Sequence, residues 1–269
     1  MSFFRRFRPA LSLAAALAFS LPACSTVAGG ISLREEAAAG PAPETGRERV
    51  VLLHGMRRTG RSMEKMARSL RREGYDTIVC SYPSRWDVHT TATNVFAALR
   101  PVLERPGRVH FVTHSLGGIL VRDAFRDGAR PADSGRVVML SPPNGGCEHV
   151  DRFAWLPFFG FFWGTPAREL GTGPESFPNR LPPVDFDCGV IAGTKRGLLG
   201  LLLPGPNDGK VTVARTRAEG VPEVLELPVN HTWMMRDDAV IAATARYLAT
   251  GRFDGESGSR RTAVSRPFR

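Results

Sequence analysis

The sequence predicts an α/β fold: a mostly parallel central sheet of about six strands with helices on both faces. Three observations carry that expectation. Short apolar runs alternate with longer runs of helical spacing between residues 49 and 250, and strand alternating with helix makes a parallel sheet covered on both sides. A serine stands between one apolar run and the helix-forming run that follows it, at residues 108–126. The rhythm breaks only once inside the domain, at residues 144–189, a stretch rich in aromatics, Gly and Pro and too long for an ordinary loop. With 269 residues, 42% of them hydrophobic and 23% charged, the chain has room for one sizeable domain with a real core.

In chain order, residues 49–53 form a short apolar strand. Residues 62–72 have helical spacing, with Met63, Met66, Ala67 and Leu70 on one face and Gly74 as the stop. Residues 75–80 are a second strand and 88–103 a second helix; 108–113 and 116–126 repeat the pair. Further strands fall at 137–140, 190–192 and 224–229, and a closing helix runs over 237–250 with Asp237 and Asp238 at its N-terminus. Crossovers between parallel strands are right-handed, and in such sheets the chemistry collects at the carboxyl ends of the strands.

The ends of the chain read differently. Arg5, Arg6 and Arg8 followed by the apolar residues 10–22 and the small Ala23 make a secretory signal peptide over 1–23, too short for a permanent membrane span. The protein is therefore expected outside the cytoplasm, in a bacterial periplasm, as an outer-membrane lipoprotein or as a secreted protein. Leu21-Pro22-Ala23-Cys24 is similar to a lipoprotein box, in which Cys24 is lipidated; plain secretion is the alternative. Residues 24–48 read as a flexible tether and 251–269 as a disordered basic tail, which leaves 49–250 for the domain. The formal charge is +10, and loss of the leader's three arginines leaves +7. A basic sum without a nucleic-acid motif is read as a solvated surface, and no nucleic-acid partner is expected. Oxidising surroundings would permit a Cys147–Cys188 bridge across the insertion. No metal-ligand spacing occurs, so neither metal nor other cofactor is expected.

The residues that carry chemistry begin with Thr113-His114-Ser115-Leu116-Gly117-Gly118. A serine in a sharp strand-to-helix turn projects its hydroxyl clear of the sheet, and the helix N-terminus behind it offers unpaired N–H groups. Gly117 stands where a side chain would crowd the adjoining strand. This segment resembles the G-x-S-x-G nucleophile elbow of the α/β-hydrolase superfamily in its lipase and esterase form, with Thr113 in place of the first Gly. The early strand ending in His54-Gly55-Met56 is similar to the superfamily's oxyanion loop.

The resemblance implies an α/β-hydrolase fold with an aromatic-rich cap, a Ser–Asp–His triad and an acyl-enzyme. The N–H groups of Met56 and Leu116 are then the oxyanion donors. His231, after the last strand, takes the base position. Asp208, in Asn207-Asp208-Gly209, takes the acid position in the order Ser, acid, His. His54, His89, His110, His114 and His149 are passed over as base, and Asp185 and Asp187 come too early for the acid. Fold members of fuller size carry eight strands, so a missing N-terminal hairpin is expected. Trp155, Phe158, Phe159 and Phe162 of the insertion are expected to cap an acyl pocket or meet lipid, with Leu198 to Leu203 beside them. A lipid or small ester is thus the implied substrate, and a lipid anchor or the aromatic cap the implied membrane contact. An acyltransferase on the same triad is the neighbouring alternative. A catalytically silent scaffold that binds lipid or protein is the distant one.

Overall fold

In the computed structural model the described residues are 23–27, 29–42, 46–156 and 165–254. They form one eight-stranded sheet in the order β1-β2-β4-β3-β5-β6-β7-β8. Its strands are β1 (Ala23–Val27), β2 (Ile31–Glu36), β3 (Arg49–Leu53), β4 (Asp76–Ser81), β5 (Val109–His114), β6 (Ser134–Leu140), β7 (Cys188–Gly193) and β8 (Glu223–Leu227). The six strands from β3 onward are mutually parallel, as the alternating pattern predicts. β1 and β2 add an antiparallel hairpin on the β4 edge.

That hairpin corrects two expectations. The segment read as a tether supplies β2 and all but the first residue of β1, and the hairpin expected to be missing is present. Ile31 and Leu33 are buried in the core, while the residues between them stay partly exposed. Only two apolar positions in a polar, Gly-rich stretch mark this strand, too weak a period to read.

The helices are α1 (Glu64–Arg72), α2 (Val88–Leu103), α3 (Leu116–Arg126), α4 (Glu148–Phe153), α5 (Val213–Thr216) and α6 (Asp238–Thr250). Period-2 side-chain alternation divides each strand between two cores. Val51 and Leu53 of β3 pack with Phe96 and Leu99 of α2 and Ile119 of α3. Val50 and Leu52 pack on the other face with Met66 and Leu70 of α1 and Val240 and Leu248 of α6. Asp87 caps α2 by accepting the Thr90 N–H at 2.8 Å, and Asp237 caps α6 by accepting the Ala239 N–H at 2.9 Å. α6 ends at Gly251, whose φ of 75° is the left-handed cap glycine favours.

The first residues of the segment expected to be a tail pack into the domain. Phe253 is buried against Tyr247, and its N–H donates to Glu223 at 3.2 Å. Residues 255–269 lie outside the described residues, as do residues 1–22 and 157–164. Among the described residues no helix is long and apolar enough to cross a membrane.

Candidate active site

The carboxyl ends of β3, β5, β6, β7 and β8 meet at one edge of the sheet, and the chain passes there from strand into loop or helix. At β5 this passage takes a single residue. Ser115 has φ 52° and ψ −119°, a conformation that L side chains adopt only when their surroundings impose it. The constraint is visible in the packing. A Cβ on Gly117 would lie 2.9 Å from the Leu53 carbonyl oxygen, so only glycine lets α3 start this close to β3. A Cβ on Gly55 would likewise lie 2.7 Å from His114 Nδ1 and 3.1 Å from the Ser115 Cβ.

The loop after β3 is fixed by His54. The Tyr82 N–H donates to its Nε2 at 3.1 Å, which leaves the proton on Nδ1 to donate to the Gly55 carbonyl at 2.8 Å. The Tyr82 ring stacks on His54 at 4.0 Å, and its hydroxyl donates to the His54 carbonyl. Burial pushes the His54 pKa down to about 4, so the ring is neutral at ordinary pH. Among the described residues the Met56 N–H has no hydrogen-bond acceptor. The Leu116 N–H opens α3 and is one of the helix's unpaired first-turn donors.

Asp208 and His231 come together as the sequence predicts. His231 Nδ1 lies 2.7 Å from Asp208 Oδ2, and both residues are buried. The second carboxylate oxygen accepts the N–H groups of Lys210 at 3.0 Å and Val211 at 2.9 Å. Burial opposes the charge on Asp208, but His231, the Val211 N–H and the Ser141 hydroxyl outweigh it and lower its pKa. An ionised carboxylate only accepts, so the proton of that bond sits on His231 Nδ1 and Nε2 keeps its lone pair. The backbone joins the two loops as well, the His231 N–H donating to the Asp208 carbonyl at 3.0 Å.

Two supporting residues escape sequence reasoning. Ser141, just past β6, has a positive φ of 42°. Its hydroxyl accepts the Gly193 N–H at 3.2 Å and lies near enough to the Asp208 carboxylate to help lower its pKa. His114, passed over because its own backbone points it away from the neighbouring hydroxyl, reaches across to the base instead. Its Nε2 lies 3.0 Å from the His231 carbonyl, and the two rings are 4.8 Å apart. Burial, then the adjacent His231, pushes the His114 pKa well down, so the neutral ring donates from Nε2. Both contacts join residues distant in sequence and carry no local spacing signal.

Ser115 and His231 open into one cavity of about 490 Å³. Its wall includes Met56, Pro143, Val150, Ala167 and Leu170, the last three from the insertion, and the polar His149, Lys210 and Arg58. His149, passed over as the base, lies with its Nε2 3.3 Å from the Gly209 carbonyl beside the acid loop. Leu116 is buried behind the serine. The aromatic expectation fares differently. Trp155 is 76% exposed and outside the cavity wall, its indole N–H turned back to the Arg152 carbonyl. Phe158, Phe159 and Phe162 lie outside the described residues. Leu198, Leu199, Leu201 and Leu202 are exposed rather than lining the cavity.

The proposed bridge is corrected too. Cys147 and Cys188 are both free thiols. Cys188 begins β7 inside the core, whereas Cys147 forms part of the cavity wall with its Sγ 3.2 Å from the Lys210 carbonyl. Burial pushes the Cys147 thiol up to about 11, away from thiolate chemistry. Elsewhere, folding brings His89, Asp123 and Asp127 within 4.8 Å of one another. Arg126 meets both carboxylates, at 2.7 and 2.8 Å.

A parallel sheet flanked by helices, with a strained strand-to-helix serine and an acid–imidazole pair at the same edge, defines a class of hydrolytic α/β proteins. The alpha/beta hydrolase family model matches residues 50–252, and the chain belongs to that family. A search of curated proteins gave no match. Among solved structures, the mature form of the Bacillus licheniformis lipase BlEst2 is similar with a TM-score of 0.68 at 19% identity, over 80% of this chain and 97% of that one. Est1E from Butyrivibrio proteoclasticus is similar with a TM-score of 0.57 at 13% identity, over 86% and 99% of the two chains. Epoxide Hydrolase A from Mycobacterium thermoresistibile follows with 0.55 at 16%, over 86% and 99%. At these identities the likeness is one of fold.

Proposed function

We propose that this chain is a serine hydrolase of carboxylic esters, an esterase or lipase acting outside the cytoplasm. The observation that carries the reading is the 2.7 Å Asp208–His231 contact in a cavity whose wall also holds the strained Ser115. His231, oriented by Asp208, takes the Ser115 proton at Nε2. The serine oxygen then attacks the ester carbonyl. The Met56 and Leu116 N–H groups stabilise the oxyanion; losing one such donor typically costs about 10²–10³ in rate. His231 returns the proton to the departing alcohol, leaving an acyl-enzyme. Water, deprotonated by the same imidazole, releases the acid. None of these steps calls for a cofactor.

The exposed leucines support an apolar, lipid-like partner. Their turn is tied to the acid loop, since the Asn207 side-chain amide donates to the Gly200 carbonyl at 3.1 Å. Apolar side chains are thereby presented to solvent next to the site. Cleavage after Ala23 leaves Cys24 as the first residue, in the edge strand β1, where a lipid anchor would attach.

The test is turnover of a short 4-nitrophenyl ester together with fluorophosphonate labelling. Ser115→Ala is expected to lower kcat by roughly 10⁴–10⁶ and to abolish labelling. An unchanged rate, or a wild-type chain that stays unlabelled, ends the proposal.

A further inference from the structure

The charges at the cavity are one-sided. Its wall holds Arg58 and Lys210, and among the described residues no Asp or Glu lines it. Asp208 stands just behind that wall, but its oxygens already accept from His231 and from the Lys210 and Val211 N–H groups. Glu148 stands outside the wall; its Oε1 accepts from the Thr212 hydroxyl and Arg215, and its Oε2 is buried without a hydrogen-bond partner among the described residues.

Lys210 is the informative residue. It follows Asp208 by two positions, so the acid loop delivers its side chain to the cavity. It is half-buried, yet among the described residues its ammonium has neither an ion-pair partner nor a hydrogen-bond acceptor. The contrast is Lys65, which is also half-buried but whose ammonium pairs with Asp238 at 2.6 Å. Burial and the nearby Arg58 lower the Lys210 pKa, and Asp208 restores only part of it. Arg58 is held in place without neutralisation. It donates to the Thr232 carbonyl at 2.7 Å and lies over the Trp233 ring at 5.1 Å. Neither contact supplies a negative charge. Two cations are thus presented to the space in front of Ser115, partly stripped of water and repelling each other. That arrangement is costly unless an anion completes it.

We propose that the preferred ester carries an anionic oxygen group, a phosphate or a carboxylate, seated between Lys210 and Arg58 while its carbonyl meets Ser115. This rests on the reading of Ser115 as the nucleophile. Arg58 offers a planar fork and Lys210 a movable point charge, a combination suited to an oxyanion of either geometry. The group can sit on the alcohol side, as in a glycerophospholipid, or at the far end of a short dicarboxylic half-ester.

The experiment compares kcat/KM within two substrate pairs. They are the mono-4-nitrophenyl ester of glutaric acid against 4-nitrophenyl pentanoate, and a short-chain phosphatidylglycerol below its micelle concentration against the diacylglycerol of the same chain length. The glutarate arm reports a carboxylate on the acyl side and the phosphatidylglycerol arm a phosphate on the alcohol side. Each anionic substrate is paired with a neutral analogue of equal length. The wild type is expected to favour at least one anionic member over its neutral pair by about tenfold or more, mainly through KM. Lys210→Met and Arg58→Gln should each reduce that ratio, and Lys210→Glu should invert it. Because the readout is a ratio within one variant, a general loss of folded enzyme cancels. Ratios near one for both anions, or a ratio that Lys210→Met leaves as it was, overturn the anion site while leaving ester hydrolysis standing. No turnover of any ester, neutral or charged, overturns both.

Discussion

The two halves of the site are held by different means. On the nucleophile side, geometry is enforced by backbone contact: Ser115 sits at φ 52° because α3 starts directly on β3, with Gly117 allowing the approach. On the acid–base side, Asp208 and His231 come from loops beyond β7 and β8 and are held by hydrogen bonds. These bonds include two backbone N–H groups to the carboxylate and the His114 ring to the His231 carbonyl. The first half is a property of packing and resists the loss of one polar atom. The second depends on individual donors and acceptors, so isosteric changes should reach it.

The sharpest test of that contrast is Asp208→Asn. The shape is kept, but an amide N–H turned toward His231 Nδ1 favours the wrong tautomer and leaves Nε2 without its lone pair. We expect kcat to fall by about 10⁴ with the thermal transition little changed. A loss under tenfold would mean that the 2.7 Å contact does not orient the base. A smaller effect should come from Ser141. Removing its hydroxyl takes away the acceptor of the Gly193 N–H and a group that helps lower the Asp208 pKa, so Ser141→Ala and Ser141→Gly should both lower kcat by about tenfold, with KM near the wild-type value. They should separate in stability. Glycine accepts the positive φ of 42° without strain and alanine does not, so the Gly variant should melt higher. Equal melting temperatures would show that residue 141 carries no strain worth relieving.

This division also explains what the sequence disclosed. The elbow, the His54-Gly55-Met56 loop, Asp208 and His231 were each legible because each stands at a fixed place just after a strand or between two. Among the parallel strands, β3 and β7 were legible for a similar reason, since both are buried along their whole length and almost wholly apolar. The contacts between those pieces were not. His114 reaching the His231 carbonyl and Ser141 reaching Asp208 are consequences of strand order, which brings β5, β6 and β7 side by side. Strand order also undid the proposed bridge. The two cysteines bracket one segment in sequence, but register carries Cys188 into the core and leaves Cys147 at the cavity. The β2 strand went unread because its outer positions are Ser32, Arg34 and charged neighbours, and Ile31 and Leu33 alone make no period.

The gentlest probe is pH, and it acts on the support of the nucleophile side. His54 is buried and neutral, with both ring nitrogens engaged, and its pKa is lowered from 6.5 to about 4. His110, His114 and His149 are shifted in the same direction, burial being the first cause in each. A lowered folded-state value means that the unfolded chain binds more protons between the two pKa values. Stability is therefore fully present above pH 6.5 and is lost as pH falls toward 4. For His54 alone the loss amounts to about 3 kcal/mol. The melting temperature should be level from pH 8 to pH 7 and then drop by several degrees toward pH 5. His54→Gln, which keeps one donor and one acceptor but does not titrate, should start lower and decline less. A wild-type curve that stays flat to pH 5 would mean that these rings take up protons in the folded chain. The Tyr82 N–H could then no longer donate to His54, and the loop bearing Met56 would need another anchor.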